Sequence, residues 1–414
     1  MEKNVIIAGL PLLALFFPLC AACVAGPRGS SPQADNSFGW TQDIIDTYTA
    51  ISAMYYPGDN SRLAEFVEKL QDGKNVTVGF IGGSITQGAP GPGANFLYPK
   101  VFCDWLRVQF PQSTVEMINI GVGATNSFYG VHRIEGEMLY RDPDLVIVEF
   151  SANDPSNDLY DESYESLCRK ILNWRSRPAL VLLSMCWKNF GTAQNIHDLT
   201  AEYYDIPMVS YHDAVRAGLE NGDFTWEMLS NDDVHPNRSG HWFTAQLLVK
   251  RLETVIKTID SIKKQDNALP VARTANRYED ASMIWSRQTG IVPMPVPVSL
   301  GGFEALPYSD FFNWNKGWSC STPGSEPLIF EITAGYIAVA YLDFEAQFSV
   351  VVDKGTSGEK IFVVDRRIDG GTTNVLRDVV NDGIIQKHTI EIRHADNSGQ
   401  VYIGGIMVSQ QKLF

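Results

Sequence analysis

Residues 76–88 read VTVGFIGGSITQG. Val76 to Ile81 is a short apolar run of the kind that forms a buried strand. Gly82-Gly83 follow, and a glycine pair leaves room for a tight turn. Ser84 sits directly on that turn. There its hydroxyl is presented at the edge of a sheet, with its own N–H facing the same cavity. The place suits a nucleophile, and it equally suits a capping serine at a strand-to-helix turn. The rest of the chain decides between the two.

Outward from this stretch, strands and helices alternate. Thr41 to Tyr56 and Asn60 to Leu70 precede it with helical spacing. Tyr98 to Phe110 follows it with the same periodicity. Val115 to Ile120, Leu145 to Phe150, Ala179 to Cys186 and Pro207 to Ser210 read as further strands, and Ser163 to Trp174, Thr192 to Tyr204 and Gly240 to Ile259 as helices. Most of these strands are continuous apolar runs rather than alternating ones, which points to a parallel sheet covered on both faces. Sites in such folds lie at the carboxyl ends of the strands. Ser84, the turn Gly121–Ala124 and Asn153 all fall at such ends.

Near residue 265 the character changes. Beyond Lys263-Lys264-Gln265-Asp266-Asn267 no helix of useful length is visible, and short β-rich runs take over: Leu328–Ile332, Tyr336–Leu342, Phe348–Val352, Lys360–Val364, His388–Ile392 and Val401–Val408. Turn residues separate them, the pattern of an all-β sandwich. The segment between the two regions is no Gly/Ser tether. Tyr278, Ile284 and Trp285 make it apolar enough to pack, so a fixed domain orientation is expected.

With 414 residues, two or three domains are expected. The net charge of −15 repels phosphate backbones and argues against a nucleic-acid partner. Lys3, then an almost wholly apolar Val5 to Ala25 ending in small residues, forms the pattern of a secretory signal peptide. A lipid anchor at Cys20 or Cys23 is the second reading and a membrane helix the third. The predicted organisation is a signal peptide over 1–25, a linker over 26–40, an α/β domain over 41–262, a linker over 263–290 and a β-sandwich over 291–414. Cys103, Cys168, Cys186 and Cys320 remain after the leader, without a CxxC pair, so no metal site is expected. In an oxidising compartment a Cys168–Cys186 bridge is one expectation.

Four pieces carry chemistry when taken together. Ser84 is a candidate nucleophile, Asp232-Asp233-Val234-His235 brings a His with an acid three residues before it, Asn153 ends a strand, and Gly121–Ala124 offers backbone N–H groups. Acyl transfer needs these parts: a serine, a neutral imidazole to take its proton, a carboxylate to hold the imidazole, and donors for the oxyanion. Spacing favours Asp232 over Asp233 as the carboxylate.

In this order the blocks Gly82-Gly83-Ser84-Ile85-Thr86, Asn119-Ile120-Gly121-Val122-Gly123-Ala124, Ser151-Ala152-Asn153-Asp154 and Asp232 to His235 resemble those of the SGNH hydrolases, the GDSL-like esterase superfamily. The resemblance covers roughly residues 60–260. It implies a three-layer α/β/α fold with a flavodoxin-like parallel sheet, here followed by the jelly-roll-like β-sandwich. It implies catalysis by Ser84, Asp232 and His235, an oxyanion hole from Ser84, Asn153 and either Gly123 or Ala124, and neither metal nor cofactor. Counting from Asn119, the family's oxyanion glycine falls on Ala124. The export signal and the absence of a long hydrophobic lid favour a secreted or cell-surface enzyme that deacetylates a polysaccharide of the xylan or mannan type. Phe311, Phe312, Trp314 and Trp318 are candidate sugar-stacking residues. A general short-chain esterase or lipase is the alternative, and a non-catalytic carbohydrate-binding protein the alternative of another class.

Overall fold

The computed structural model describes residues 40–88, 90–264, 268–286, 295–306, 316–342, 347–365, 373–395 and 399–410. The expected signal peptide and the aromatics Phe311, Phe312 and Trp314 lie outside these residues.

The described residues open with α1 (Gln42–Ala53) and α2 (Ser61–Gln71). It then alternates β1 (Val76–Gly82), α3 (Ser84–Gln87), α4 (Tyr98–Gln109), β2 (Val115–Asn119), α5 (Ser127–Glu137), β3 (Leu145–Glu149), α6 (Asp158–Leu172), β4 (Ala179–Ser184), α7 (Gln194–Tyr204) and β5 (Met208–Ser210). The helices α8 (Tyr211–Asn221), α9 (Trp226–Leu229) and α10 (Arg238–Thr258) complete this part. The strands form one parallel five-stranded sheet, ordered β2-β1-β3-β4-β5.

The continuous apolar runs have a simple cause. On β3, Leu145 and Ile147 enter a core shared with α4 and α10, whereas Val146 and Val148 enter a second core shared with α5 and α6. Successive strand side chains point to opposite faces, and helices cover both, so both sets of positions are mostly apolar. The result is a three-layer α/β/α domain. Cys168 lies in one of these cores and Cys186 in the other, and all four described cysteines are free thiols. The expected Cys168–Cys186 bridge is therefore corrected: the sheet stands between them.

A second, antiparallel sheet follows. Its strands are β6 (Ser282–Ile284), β7 (Glu304–Ala305), β8 (Trp318–Cys320), β9 (Leu328–Leu342), β10 (Gln347–Val352), β11 (Lys360–Asp365), β12 (Thr373–His394) and β13 (Val401–Ser409). They are ordered β11-β10-β12-β9-β13-β8-β7, with β6 also on β13. The two runs expected over 328–332 and 336–342 are one strand. Gly335 joins them without a break, opposite a bulge in β12 between Asn381 and Gln386.

This all-β domain is docked on the α/β domain. On β9, Ile337, Val339 and Tyr341 fill the β-domain's own core, whereas Tyr336, Ala338, Ala340 and Leu342 join the core containing Phe128 and Tyr129 of α5. Tyr278 stands edge-on between Phe128 and Tyr336, with ring centroids at 5.2 and 5.4 Å. Ion pairs Arg277–Glu162, Arg169–Glu279 and Lys316–Glu137 cross the same boundary. Trp318 is 1% exposed, with its ring edge-on to Phe330, so of the two readings open to it, core and sugar-stacking, it takes the core one.

Candidate active site

The tight turn at the end of β1 leads directly into α3, which begins at Ser84. The Ser84 Oγ lies 2.9 Å from His235 Nε2, and His235 Nδ1 lies 2.9 Å from Asp232 Oδ2. With a carboxylate on Nδ1, that nitrogen carries the imidazole proton, which leaves the Nε2 lone pair for the serine hydroxyl. The other Asp232 oxygen, Oδ1, accepts the backbone N–H groups of Val234 and His235 at 2.7 and 2.6 Å. Burial pushes the Asp232 carboxyl up, but the donors from His235 and Val234 outweigh it and hold the carboxyl below its ordinary value. The neighbouring Asp233 contributes its backbone carbonyl to Lys188 N–H instead.

The loop carrying Asp232 and His235 is tied from within. The Ser230 hydroxyl sits 2.9 and 2.6 Å from the carbonyls of Asp232 and His235, and Trp226 Nε1 donates to the Asp232 carbonyl at 2.6 Å. Neither Ser230 nor Trp226 stood out in the sequence, because each acts on backbone atoms without a recognisable spacing.

Asn153 ends up against the nucleophile turn. A Cβ on Gly83 would stand 2.3 Å from Asn153 Oδ1, so only glycine lets the amide come this close. The next residue, Asp154, holds the Asn153 turn in place: it accepts the Ser127 N–H at 2.8 Å and His197 Nε2 lies 3.0 Å from its other oxygen. Asn119 plays a similar part, donating to the Thr86 carbonyl at 2.7 Å and accepting Gly121 N–H at 2.9 Å.

Gly123 and Ala124 differ in their backbone environments. Gly123 N–H donates to Gln87 Oε1 at 2.7 Å. Ala124 adopts φ 56°, the left-handed region that favours glycine, at a strain of about 1–2 kcal/mol. Gln87 belongs to the 76–88 stretch, yet the sequence does not mark it as a site residue. Its side chain has no motif role that spacing could reveal.

Behind Ser84 lies a buried polar chain. Tyr98 OH is 2.8 Å from Thr86 Oγ1, which donates to Glu149 Oε2 at 3.1 Å. Burial lifts the Glu149 carboxyl to about 7 against the opposing Thr86 bond. Its unfolded value is near 4.5, so the folded state binds the extra proton between those two values. Stability on this account is fully present below pH ~4.5 and is lost as pH rises through ~7, by about 3 kcal/mol in total. Glu149→Gln is expected to remove that loss. The melting temperature of the variant relative to the parent should rise between pH 5 and pH 8, and a pH-independent difference would rule the account out.

Residues 80–243 match the GDSL-like Lipase/Acylhydrolase family. This is an SGNH hydrolase domain. The SGNH domain and its β-domain together resemble the crystal structure of a two-domain esterase active on acetylated mannans, with TM-score 0.75 and 27% identity over 86% of this chain and 97% of that one. A crystal of such an esterase with mannopentaose gives TM-score 0.75 and 26% identity over 87% and 97%. Among curated proteins, Thioesterase 1/protease 1/lysophospholipase L1 of Escherichia coli strain K12 is 23% identical over 154 residues, 35% of this chain and 71% of its own. Residues 80–243 thus carry a domain of an ester-hydrolase family, the SGNH type.

Proposed function

We propose that the protein is a secreted esterase that removes acetyl groups from an acetylated polysaccharide, of the mannan type before the xylan type. The observation that carries this is the likeness across both domains to an esterase active on acetylated mannans, at TM-score 0.75. A likeness confined to the SGNH domain would leave the substrate open, since that fold serves many esters. Export rests on the sequence of residues 1–25.

The chemistry follows from the geometry. Ser84 Oγ attacks the acetyl carbonyl while His235 Nε2 takes its proton. The sugar oxygen leaves with that proton, and an acetyl-serine ester remains. Water then repeats the cycle, giving up its proton to His235 and releasing acetate. Asp232 stabilises the imidazolium that forms at each step. The Ser84 N–H, the Asn153 amide and a backbone N–H of the Gly121–Ala124 turn serve as donors for the developing oxyanion, while Gln87 accepts the Gly123 N–H. Beside the Asn153 turn, Trp187 is 42% exposed, its Nε1 donating to the Ala152 carbonyl at 2.7 Å. That leaves an indole face for a sugar ring.

Acetate release from acetylated mannan, acetylated xylan and nitrophenyl esters of increasing acyl length tests the proposal. Mannan is expected to lead, and the nitrophenyl series to fall steeply beyond acetate. A preference for long acyl chains would overturn the proposal in favour of a lipase or thioesterase.

A further inference from the structure

The nucleophile turn and the oxyanion turn are joined through one guanidinium. Arg133 of α5 is 1% exposed. Its Nη2 donates to the Gly82 carbonyl at 3.3 Å, and its Nη1 donates to the Ile120 carbonyl. Gly82 stands two residues before Ser84, and Ile120 directly precedes Gly121–Ala124. The Gly82 carbonyl also accepts Val122 N–H at 3.1 Å, so both turns share this anchor.

Arg133 is in turn held by Glu137, with Nη1 and the carboxylate 2.7 Å apart. The second oxygen of Glu137 does not return to the α/β domain. It pairs at 2.8 Å with Lys316, which lies beside β8 in the all-β domain. The Lys316 ammonium also stands 4.8 Å from the Trp285 ring centroid. The three charged groups, with Val122, Tyr129, Trp285 and Gly404, line a cavity of about 10 Å³, room for no more than about one water. Charge–charge interactions are strong where so little water enters. Burial raises the Glu137 carboxyl, but Arg133 and Lys316 overcome it and keep the carboxyl below its ordinary value.

We propose that Lys316 is a positioning residue for ester hydrolysis, acting across the domain boundary through Glu137 and Arg133 on the carbonyls of Gly82 and Ile120. This rests on the esterase reading of Ser84. With Lys316 in place, Glu137 has a charge on each oxygen, and Arg133 is fixed against both turns. Without it, one carboxylate oxygen is left buried and unpaired. Glu137 then shifts or takes up water, and Arg133 follows it. A displacement of about 1 Å between nucleophile and oxyanion donors reduces rate by up to about a hundredfold. The docked β-domain thus has a part in the chemical step that is separate from any contact with a polysaccharide.

The test uses the full chain and a nitrophenyl acetate, a substrate without a polysaccharide chain. Lys316→Met is expected to lower kcat about tenfold with KM within about twofold, measured well below the melting temperature. Lys316→Arg is expected to restore most of kcat, since it returns a cation to Glu137. An unchanged kcat in Lys316→Met would overturn the proposal whatever happens to melting temperature, because Lys316 would then only hold the domains together. A loss of kcat that Lys316→Arg fails to restore would overturn it too. If Lys316→Met does not fold, Glu137→Gln carries the same test with the same expected split, and an unchanged kcat there is equally fatal. Absence of esterase activity in the parent protein would instead refute the underlying reading of Ser84.

Discussion

Ser84→Ala abolishes hydrolysis of a chromogenic acetate ester, with a loss of at least about a thousandfold in kcat. The size follows from what is removed. Ser84 Oγ lies 2.9 Å from His235 Nε2, and no other hydroxyl is paired with that nitrogen among the described residues. Without the oxygen no acyl-enzyme forms, and only unassisted attack of water near the oxyanion donors remains. Fold and stability should be nearly unchanged. Ser84 lies outside the hydrophobic cores, α3 starts after Gly83 without a side-chain cap bond, and the Ser84 backbone keeps its bond from Gly88 N–H. Circular dichroism and melting temperature should therefore match the parent while turnover disappears. A folded Ser84→Ala protein with near-normal turnover would sink the assignment of the nucleophile.

What the sequence revealed, and what it hid, has physical causes. Strands β1 and β3 were legible because burial on both faces forces a continuous apolar run between glycines or polar turns. Helix α5 was not. All its residues from Ser127 to Ile134 are buried, between the parallel sheet on one side and the β-domain on the other. A helix enclosed in this way shows no apolar stripe, and its buried His132 and Arg133 look like surface residues in sequence. The β-domain's long strands were read as fragments for a related reason: bulges and Gly335 interrupt their alternation without ending them. In the site, Ser84, Asn153, Asp232 and His235 could be picked out because acyl transfer demands those residue types. Gln87, Ser230 and Arg133 could not, because they act on backbone groups that only the folded chain brings near. Glu149 reads as one more polar residue after an apolar strand, and only its burial under Thr86 makes it titrate near neutrality.

Asp232→Asn is expected to lower kcat on the same ester by about a thousandfold or more, while Asp233→Asn changes it by less than about twofold. Both oxygens of the Asp232 carboxylate are in use. Its Oδ1 accepts two backbone N–H groups, those of Val234 and His235, and its Oδ2 accepts the His235 Nδ1–H. Asparagine in this place keeps its carbonyl oxygen on the two N–H groups, because only that atom can accept them. Its NH2 group is then turned toward His235 Nδ1, where it donates. The imidazole must answer with the opposite tautomer, carrying its proton on Nε2 and facing the Ser84 hydroxyl with a donor. It can no longer remove the serine proton. The loop stays folded, so KM for a small ester and the melting temperature should change little. Asp233 has no such place: its contribution is a backbone carbonyl to Lys188, which Asp233→Asn retains. Equal losses in the two variants, or a larger loss for Asp233→Asn, would mean that the imidazole is held by the other carboxylate in the working enzyme.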